Sequence, residues 1–378
     1  MFDYEVLRAI WWLIIALVLV GFTITDGFDM GVAILLPIIG KTNNERRIMI
    51  NSIAPHWDGN QVWLITAGAG IFAAWPMVYA ASFSGFYIAM ILVLCALFFR
   101  PLGFDYRSKI DDTKWRSMWD AAIFIGSFVP ALVIGVAFGN LIQGVPFRLD
   151  EFLRVYYEGN FFGLLNPFAL VAGVISLMLI VTQGGAWLQM KTSGELYLRA
   201  RKATQISALI MVTLFMLAGI WIALGIDGYA ITSVMDHNAV SNPLAKTVVT
   251  DVSWFGNFYD MPALWLVPAL GVICPLFVIV FSGLNKNGFA FLFSSLTIAC
   301  VLFSFGIALF PFIMPSSIMP EASLTIWDAS SSQLTLTVMF WVVAIFLPIV
   351  LFYTIWSYIK MFGRLDNRFI ENNDHGLY

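Results

Sequence analysis

Long apolar runs are the feature that most limits what this sequence can fold into. A helix needs about 20 apolar residues to cross a membrane, and the sequence meets that requirement nine times. Hydrophobic residues make up 60% of the chain and charged residues only 11%, against about 25% charged in an average soluble domain. We therefore predict an all-α integral membrane protein that forms one polytopic domain over residues 1–378. The nine predicted spans are 10–38, 53–75, 78–99, 119–139, 164–188, 205–225, 262–282, 289–311 and 334–358.

Several classes of function do not fit this sequence. A net charge of −3 gives no basic field for nucleic acid. The runs lack the roughly ten-residue alternating units of an outer-membrane barrel. The sequence also has no Walker loop, no dinucleotide-binding glycine motif and no nucleophile triad. We therefore expect no catalytic residue and no metal site in this chain.

The distribution of basic residues predicts the orientation. Of the 20 Lys and Arg, 16 fall in the connections and tail on one side of the predicted spans, and four fall on the other. Cytoplasmic loops carry the excess of Lys and Arg in membrane proteins. We therefore predict that the amino terminus lies outside and the carboxyl terminus in the cytoplasm.

Charged side chains inside the apolar runs are the candidates for function. Asp26 and Asp29 lie in the first predicted span, where Thr25 to Gly31 is expected to interrupt the helix. Asp58 lies at the start of the second span, Arg100 ends the third, and Asp120 begins the fourth. At about 1.5 Å of rise per residue, all five fall at a similar depth, in the cytoplasmic third of the membrane.

Two roles are open to these five residues. An unpaired carboxylate inside a membrane typically belongs to a proton or ion path, and we assign that role to Asp58 and Asp26. Asp29, Arg100 and Asp120 lie nearest the interface, where structural ion pairs between helices are the simpler interpretation. Arg100 is expected to pair with Asp29 or Asp26.

The three histidines do not suit a haem. A low-spin haem iron needs two axial ligands, and His237 and His375 fall in an outer loop and in the cytoplasmic tail, away from His56. We expect His56 to be a hydrogen-bonded interfacial residue, in contact with Asn60 one turn further on. The chain by itself is therefore expected to ligate no cofactor.

The polar motifs have an order that is typical of one family. They are Thr-Asp-Gly-Phe-Asp-Met-Gly at 25–31, His-Trp-Asp-Gly-Asn-Gln-Val-Trp-Leu at 56–64, Phe-Phe-Arg-Pro at 98–101, Trp-Asp at 119–120, Phe-Gly-Asn-Leu-Ile-Gln-Gly-Val-Pro-Phe at 138–147, Met-Pro-Ser-Ser at 314–317 and Lys-Met-Phe-Gly-Arg at 360–364. With these motifs the whole sequence resembles subunit II of the cytochrome bd-type ubiquinol oxidases.

The resemblance implies a function and a set of partners. It implies a heterodimer with a haem-carrying subunit I, joined in some members by a very small third subunit, in the inner membrane of a bacterium. The amino terminus would then be periplasmic. The complex would oxidise quinol near the outer face and reduce dioxygen to water at a haem d, taking protons from the cytoplasm, as a terminal oxidase of aerobic respiration. Haems b and d would belong to subunit I.

The resemblance also implies details of this chain. Nine helices would form two four-helix bundles and one peripheral helix. In some members subunit II holds a structural quinone, and an oxygen route passes near the tryptophan that matches Trp63. For Trp63, packing or a place in the interfacial aromatic belt is the simpler interpretation.

Two other classes of function compete with the oxidase subunit. A secondary transporter or channel would also have intramembrane carboxylates and broken helices. A purely structural partner would use its acids only for contacts between helices. A coloured complex with quinol oxidase activity would favour the first hypothesis, and a colourless chain that moves a solute alone would favour the transporter.

Overall fold

The computed structural model describes residues 2–365, so that Arg368 and His375 lie outside the described residues. This part of the chain folds almost entirely into helices. They are α1 (Tyr4–Ile39), α2 (Asn43–Ile53), α3 (Trp57–Ala74), α4 (Pro76–Gly85), α5 (Tyr87–Tyr106), α6 (Thr113–Gln143), α7 (Pro167–Lys191), α8 (Gly194–Gly225), α9 (Gly256–Asp260), α10 (Leu266–Gly283), α11 (Asn287–Leu309) and α12 (Gln333–Lys360).

Eight helical segments within residues 2–365 are long and apolar enough to cross a membrane. They are α1, α5, α6, α7, α8, α10 with the short 3-10 turn before it, α11 and α12. The second predicted span forms α3, a helix of 18 residues that is not among these eight. The prediction of an all-α, multi-pass membrane protein is therefore confirmed.

The first helix is continuous, and the predicted interruption at Thr25 to Gly31 is wrong. α1 runs unbroken for 36 residues. Gly31 serves a close helix crossing instead, since a Cβ there would lie 2.2 Å from the Ile180 carbonyl oxygen and 2.9 Å from Gly184 Cα. Small residues allow such close approach of two backbones. The broken first helix that would have favoured a transporter is absent.

Arg100 and Asp120 lie inside helices, which differs from the predicted ends. The predicted third span divides at Phe86 into α4 and α5, and α5 continues past Arg100 to Tyr106. Helix α6 begins earlier than predicted because the Asp112 carboxylate accepts hydrogen bonds from the backbone N–H groups of Lys114 and Trp115. An aspartate at this position stabilises a helix start.

Helix α7 is central and α12 is peripheral. Within the most apolar 18 residues of each, 67% of α7 is buried and only 6% of α12. α7 packs against α1, α6, α8 and α11, while α12 touches α1 and α3. Most of the side chains of α12 therefore face away from the rest of the chain.

The two ends of the helical body differ. The hairpin end carries three antiparallel pairs: β1 (Phe147–Leu149) with β2 (Val155–Tyr157), β3 (Gly228–Ile231) with β4 (Val248–Val252), and β5 (Phe312–Met314) with β6 (Leu324–Thr325). The opposite end, here called the basic end, contains the carboxyl end of α1 and the amino ends of α3, α6 and α8, with Arg46, Arg107 and Arg199 among its side chains.

A buried ion pair holds the hairpin end together. Lys246, in the segment between β3 and β4, contacts a carboxylate oxygen of Asp328 at 2.8 Å, with side chains 0% and 2% exposed. Burial lowers the pKa of Lys246, and Asp328 opposes that shift. Arg8 of α1 is also buried and donates to the Ser330 hydroxyl at 2.7 Å and to the Ala239 carbonyl at 3.1 Å. These contacts attach two long loops to the start of α1.

Candidate functional site

Five polar residues from four helices meet inside the body towards its basic end. They are Asp26 and Asp29 of α1, Asn60 of α3, Arg100 of α5 and Tyr358 of α12, and we call them the carboxylate cluster. Asp26, Asp29 and Arg100 are 0% exposed and Asn60 is 2% exposed. Charged groups away from water need partners of opposite charge or hydrogen bonds.

Arg100 and Asp26 form a bidentate pair. The two terminal nitrogens of the guanidinium donate to the two carboxylate oxygens at 2.6 and 3.1 Å. Gly126 of α6 lets this arginine fit, because a Cβ there would lie 2.7 Å from the Ala96 carbonyl oxygen and 3.2 Å from Arg100. Two parallel N–H···O bonds are the strong form of this pairing.

Asp29 makes no ion pair among the described residues. One of its oxygens, Oδ2, accepts a hydrogen bond from the Asn60 amide at 2.7 Å, and the other, Oδ1, has no partner within residues 2–365. The Asn60 carbonyl oxygen accepts in turn from the Tyr358 hydroxyl at 2.6 Å. The sequence assigned Asp29 to an ion pair and Asp26 to the proton path, whereas in the structure Asp26 is the paired acid. Both lie on one face of α1, so that only the position of Arg100 decides between them.

His56 lies beside this chain of hydrogen bonds. Its ring stacks on the Tyr358 ring with centroids 4.1 Å apart and an angle of 13° between the planes. The expected side-chain contact with Asn60 does not form, since Asn60 turns towards Asp29 and Tyr358, and His56 Nε2 has no hydrogen-bond partner in the described chain.

Asp120 forms a separate cluster nearer the surface of the basic end. Its carboxylate accepts from Arg107 at 2.5 and 3.3 Å and from Arg46 at 2.6 Å. Arg107 also donates to the Asn43 side chain at 3.0 Å. This network ties α2 to the facing ends of α5 and α6.

Asp58 lies apart from both clusters. It is exposed at the start of α3, whereas Asn60, two residues on, is buried. Val62 and Ile65, at helical spacing on the same face, are 51% and 67% exposed. Trp63 is partly buried and packs against the hydrophobic core formed by α1 and α7.

Several partners were not identified from the sequence, among them Tyr358 and Arg107. Tyr358 ends the last apolar run, and nothing in its neighbourhood distinguishes it from the other tyrosines. The position of Arg107 could have indicated its role, because it follows Arg100 by seven residues and a spacing of seven returns to the same face of a helix. This inference requires α5 to continue beyond Arg100, whereas the sequence predicted that the span ends there.

The side chains that commonly bind metals are scattered among the described residues. No group of three or more His, Cys, Asp and Glu side chains within residues 2–365 could hold a metal ion. His56 is at the basic end, and His237 bonds Glu5 at the hairpin end, at 2.9 Å. These two histidines therefore cannot share one iron.

Three comparisons with known proteins point to the same family. Residues 7–361 match the family model described as cytochrome bd terminal oxidase subunit II. Cytochrome bd-I ubiquinol oxidase subunit 2 of Escherichia coli (strain K12) is 63% identical, with 100% of both chains covered. Cytochrome bd ubiquinol oxidase subunit 2 of Bacillus subtilis (strain 168) is 31% identical and covers 96% of this chain and 98% of its own. The fold is similar to a chain in the structure of bd oxidase from Geobacillus thermodenitrificans, with a TM-score of 0.62, 13% identity and coverage of 95% of this chain and 99% of that chain.

Proposed function

Because this chain belongs to the cytochrome bd terminal oxidase subunit II family, we propose that it acts as the haem-free partner of a haem-carrying subunit I in a quinol:oxygen oxidoreductase. Such a complex oxidises quinol and reduces dioxygen to water. Reduction of dioxygen consumes protons, so the complex needs a route that delivers them to a buried site. This chain supplies part of that route and is not an enzyme by itself.

The haems belong to the partner in this proposal. Supporting it, His56 and His237 lie at opposite ends of the described chain, and His56 stacks on Tyr358. An axial haem ligand must direct a ring nitrogen at the iron, and two such ligands must face each other. Any structural quinone that this subunit holds would find an apolar surface for its tail in the groove between α7 and α8, lined by Val171, Leu214, Leu217 and Trp221.

The observation that carries the proposal is the exposed carboxylate of Asp58 on α3. Asp58 heads an exposed stripe that continues with the apolar residues Val62 and Ile65. A carboxylate that faces lipid costs roughly 2.5 to 3.5 kcal/mol at the centre of a bilayer and less towards the interface, where Asp58 lies, so a protein partner is a more favourable neighbour than lipid. We therefore infer that subunit I covers this face.

Asp58 is the proton-accepting member of the route. It lies in the first turn of α3, at the basic end, on the exposed face of this helix, while Asn60 of the carboxylate cluster lies on the buried face. A carboxylate can bind a proton and release it, whereas Asn60 and Gln61 can only hold water or donate hydrogen bonds. Asp26 has no part in the proposed route, because Arg100 occupies both of its oxygens.

The proposed topology has nine spans. Helix α3 adds one to the eight candidate segments, and the odd number puts the termini on opposite sides. The basic end then faces the cytoplasm, as the excess of Lys and Arg favours, and the amino terminus is periplasmic. In this proposal α1, α3, α5 and α6 form one bundle, α7, α8, α10 and α11 form a second, and α12 lies at the periphery, all within one membrane domain. The contacts among α7, α8, α10 and α11 and the low burial of α12 support it, although α7 also packs closely on α1 and α6. Trp63 keeps a packing role, with an oxygen route beside it as the family resemblance implies.

The Asp58→Asn variant tests the proposed route. It keeps the volume of the side chain and removes the exchangeable proton, so the complex should assemble with normal haem content and consume oxygen more slowly. Positioned acids and bases typically contribute at least about 100-fold to a rate. Asp58→Glu should retain more activity than Asp58→Asn.

The measurements are quinol-driven oxygen consumption and proton uptake, on purified complexes with matched haem content. Asp111→Asn is the matched control, since Asp111 is 92% exposed in its pair with Arg116 at the basic end. Wild-type turnover in Asp58→Asn would reduce Asp58 to a residue of the subunit interface.

A further inference from the structure

The carboxylate cluster contains one more acid than base. Asp26, Asp29 and Arg100 are all 0% exposed, and Arg100 directs both terminal nitrogens at Asp26. Asp29 is left with one hydrogen bond, from the neutral Asn60 amide at 2.7 Å. If both acids were ionised, the cluster would carry a net negative charge without contact with water.

At the basic end, the other cations whose partners are described bind groups other than Asp29. Arg46 and Arg107 bind Asp120, and Lys191 donates to the Met361 carbonyl oxygen at 3.2 Å. The other groups that border Asp29 are Asn60 and, behind it, the Tyr358 hydroxyl and the ring of His56 stacked on Tyr358. No counter-charge for Asp29 therefore comes from these groups.

Arg100 also acts on Asp29 electrostatically, but its charge is already balanced by Asp26, so the buried Asp29 is neutral rather than ionised. Removing an ion from water costs several kcal/mol even after the protein relaxes, and an isolated carboxylate avoids that cost by binding a proton. The Asn60 amide donates to Oδ2, so the acid proton belongs on Oδ1, the oxygen that has no partner among the described residues.

We propose that Asp29 is a protonated carboxylic acid and forms a second proton-binding site, held in place by Asn60 and Tyr358. The inference rests on the proposed function and deepens it, since Asp29 would follow Asp58 on the route. A proton that arrives from the basic end forms the O–H bond on Oδ1, and the same bond breaks when the proton moves on. No electron is transferred in either step.

Tyr358 is the positioning residue of this site. Its hydroxyl donates to Asn60 Oδ1 at 2.6 Å, which leaves the amide nitrogen of Asn60 for Asp29 Oδ2. Helix α12 otherwise has few contacts with the body, and this bond fixes its basic end against α3. The position of α12 and the hydrogen bonding of Asp29 are therefore coupled.

Two matched variants test the charge state in the whole complex. Asp29→Asn replaces a neutral acid by a neutral amide of the same size, so the complex should assemble in normal yield with normal haem content. Asp26→Asn removes the counter-charge of a buried arginine, so the yield should fall strongly. If both variants lose yield equally, the infrared band of the Tyr358→Phe complex decides between a neutral and an ionised Asp29.

Infrared spectroscopy provides the direct readout. The carbonyl stretching band of a protonated carboxylic acid lies apart from that of a carboxylate, and one component should disappear in Asp29→Asn and persist in Asp58→Asn. An unchanged band in Asp29→Asn would overturn the proposal. If this variant does not assemble, Tyr358→Phe decides, because loss of the hydroxyl should shift the band, and an unshifted band would contradict the assignment.

The same variants separate the two proposals. Slow turnover in Asp58→Asn with the Asp29 band intact supports both. Normal turnover in Asp58→Asn removes the role of Asp58 and leaves the protonated Asp29 standing. Normal turnover in an Asp29→Asn complex that has lost the band removes Asp29 from the route.

Discussion

The two terminal nitrogens of Arg100 donate hydrogen bonds to the two carboxylate oxygens of Asp26, at 2.6 and 3.1 Å, and the two residues are 74 positions apart in the sequence. Both side chains are fully buried, so the pair joins α1 and α5 inside the membrane body. The neighbouring acid, Asp29, lies only three residues away on the same helix and accepts a hydrogen bond from the Asn60 amide instead. Arg100 thus pairs with one of two neighbouring acids and leaves the other without an ion pair among the described residues.

Replacing Arg100 by alanine should impair assembly before it affects catalysis. The substitution leaves the Asp26 carboxylate without its counter-charge in a buried site, which costs about 3 to 5 kcal/mol in buried pairs. The yield and haem spectrum of the purified complex measure the effect. Arg116→Ala is the control, because its partner Asp111 is 92% exposed and exposed pairs contribute about 0 to 1 kcal/mol. Normal yield of the Arg100→Ala complex would make the pair unimportant.

Asp120→Asn should loosen the basic end. Arg107 is 1% exposed, and this variant leaves it without a carboxylate, at a cost of about 3 to 5 kcal/mol. We expect a lower thermal unfolding temperature of the purified complex, with oxygen consumption per haem unchanged. Glu158→Gln is the comparison, since its pair with Arg148 is half-exposed at the hairpin end. Equal unfolding temperatures for the two variants would contradict the role given to Asp120.

Lys246 and Asp328 should show strong coupling in a double-mutant cycle. Lys246→Met leaves the Asp328 carboxylate buried and unpaired, while adding Asp328→Asn removes that charge and keeps an acceptor for the Thr325 backbone N–H, at 3.0 Å. The double variant should therefore be more stable than Lys246→Met alone. Residues in direct contact couple by roughly 0.5 to 3 kcal/mol. Thermal unfolding of the four complexes measures the coupling, and additive effects would show that the pair is not a unit.

We expect the carboxyl terminus to be cytoplasmic. A reporter that is active only in the cytoplasm should therefore be active when it is fused after Tyr378. The reason is the 16 basic residues on one side of the predicted spans against four on the other, since that side stays in the cytoplasm. The same reporter at the amino terminus should give the opposite result. A periplasmic signal from the carboxyl terminus would reverse the proposed orientation, and with it the direction of the proton route.

The sequence by itself determined the class of protein, the family and the approximate position of most helices. Apolar runs of membrane length are a local property, and the hydrocarbon core requires every backbone polar group to be satisfied within the helix. The bd oxidase resemblance came from local motifs such as those containing Asp26, Asp58 and Arg100, and the family match confirms it. Even so, two features differed from the prediction: the break between α4 and α5 at Phe86, and the unbroken α1. A glycine in a helical sequence allows either a break or a close crossing of two helices, and the sequence does not distinguish these outcomes.

Only the tertiary structure decided which charges meet. The spacing of Asp26 and Asp29 puts both on one face of α1, and either could have faced Arg100. The rotation of α5 and its close contact with Gly126 select Asp26. In the same way, the sequence placed Asp58 and Asn60 on one short stretch, and only the packing of α1 against α3 turned Asn60 inward and left Asp58 exposed. Hydropathy fixes where a helix lies along the chain, whereas the partner of a charge depends on the rotation and height of helices that are distant in sequence.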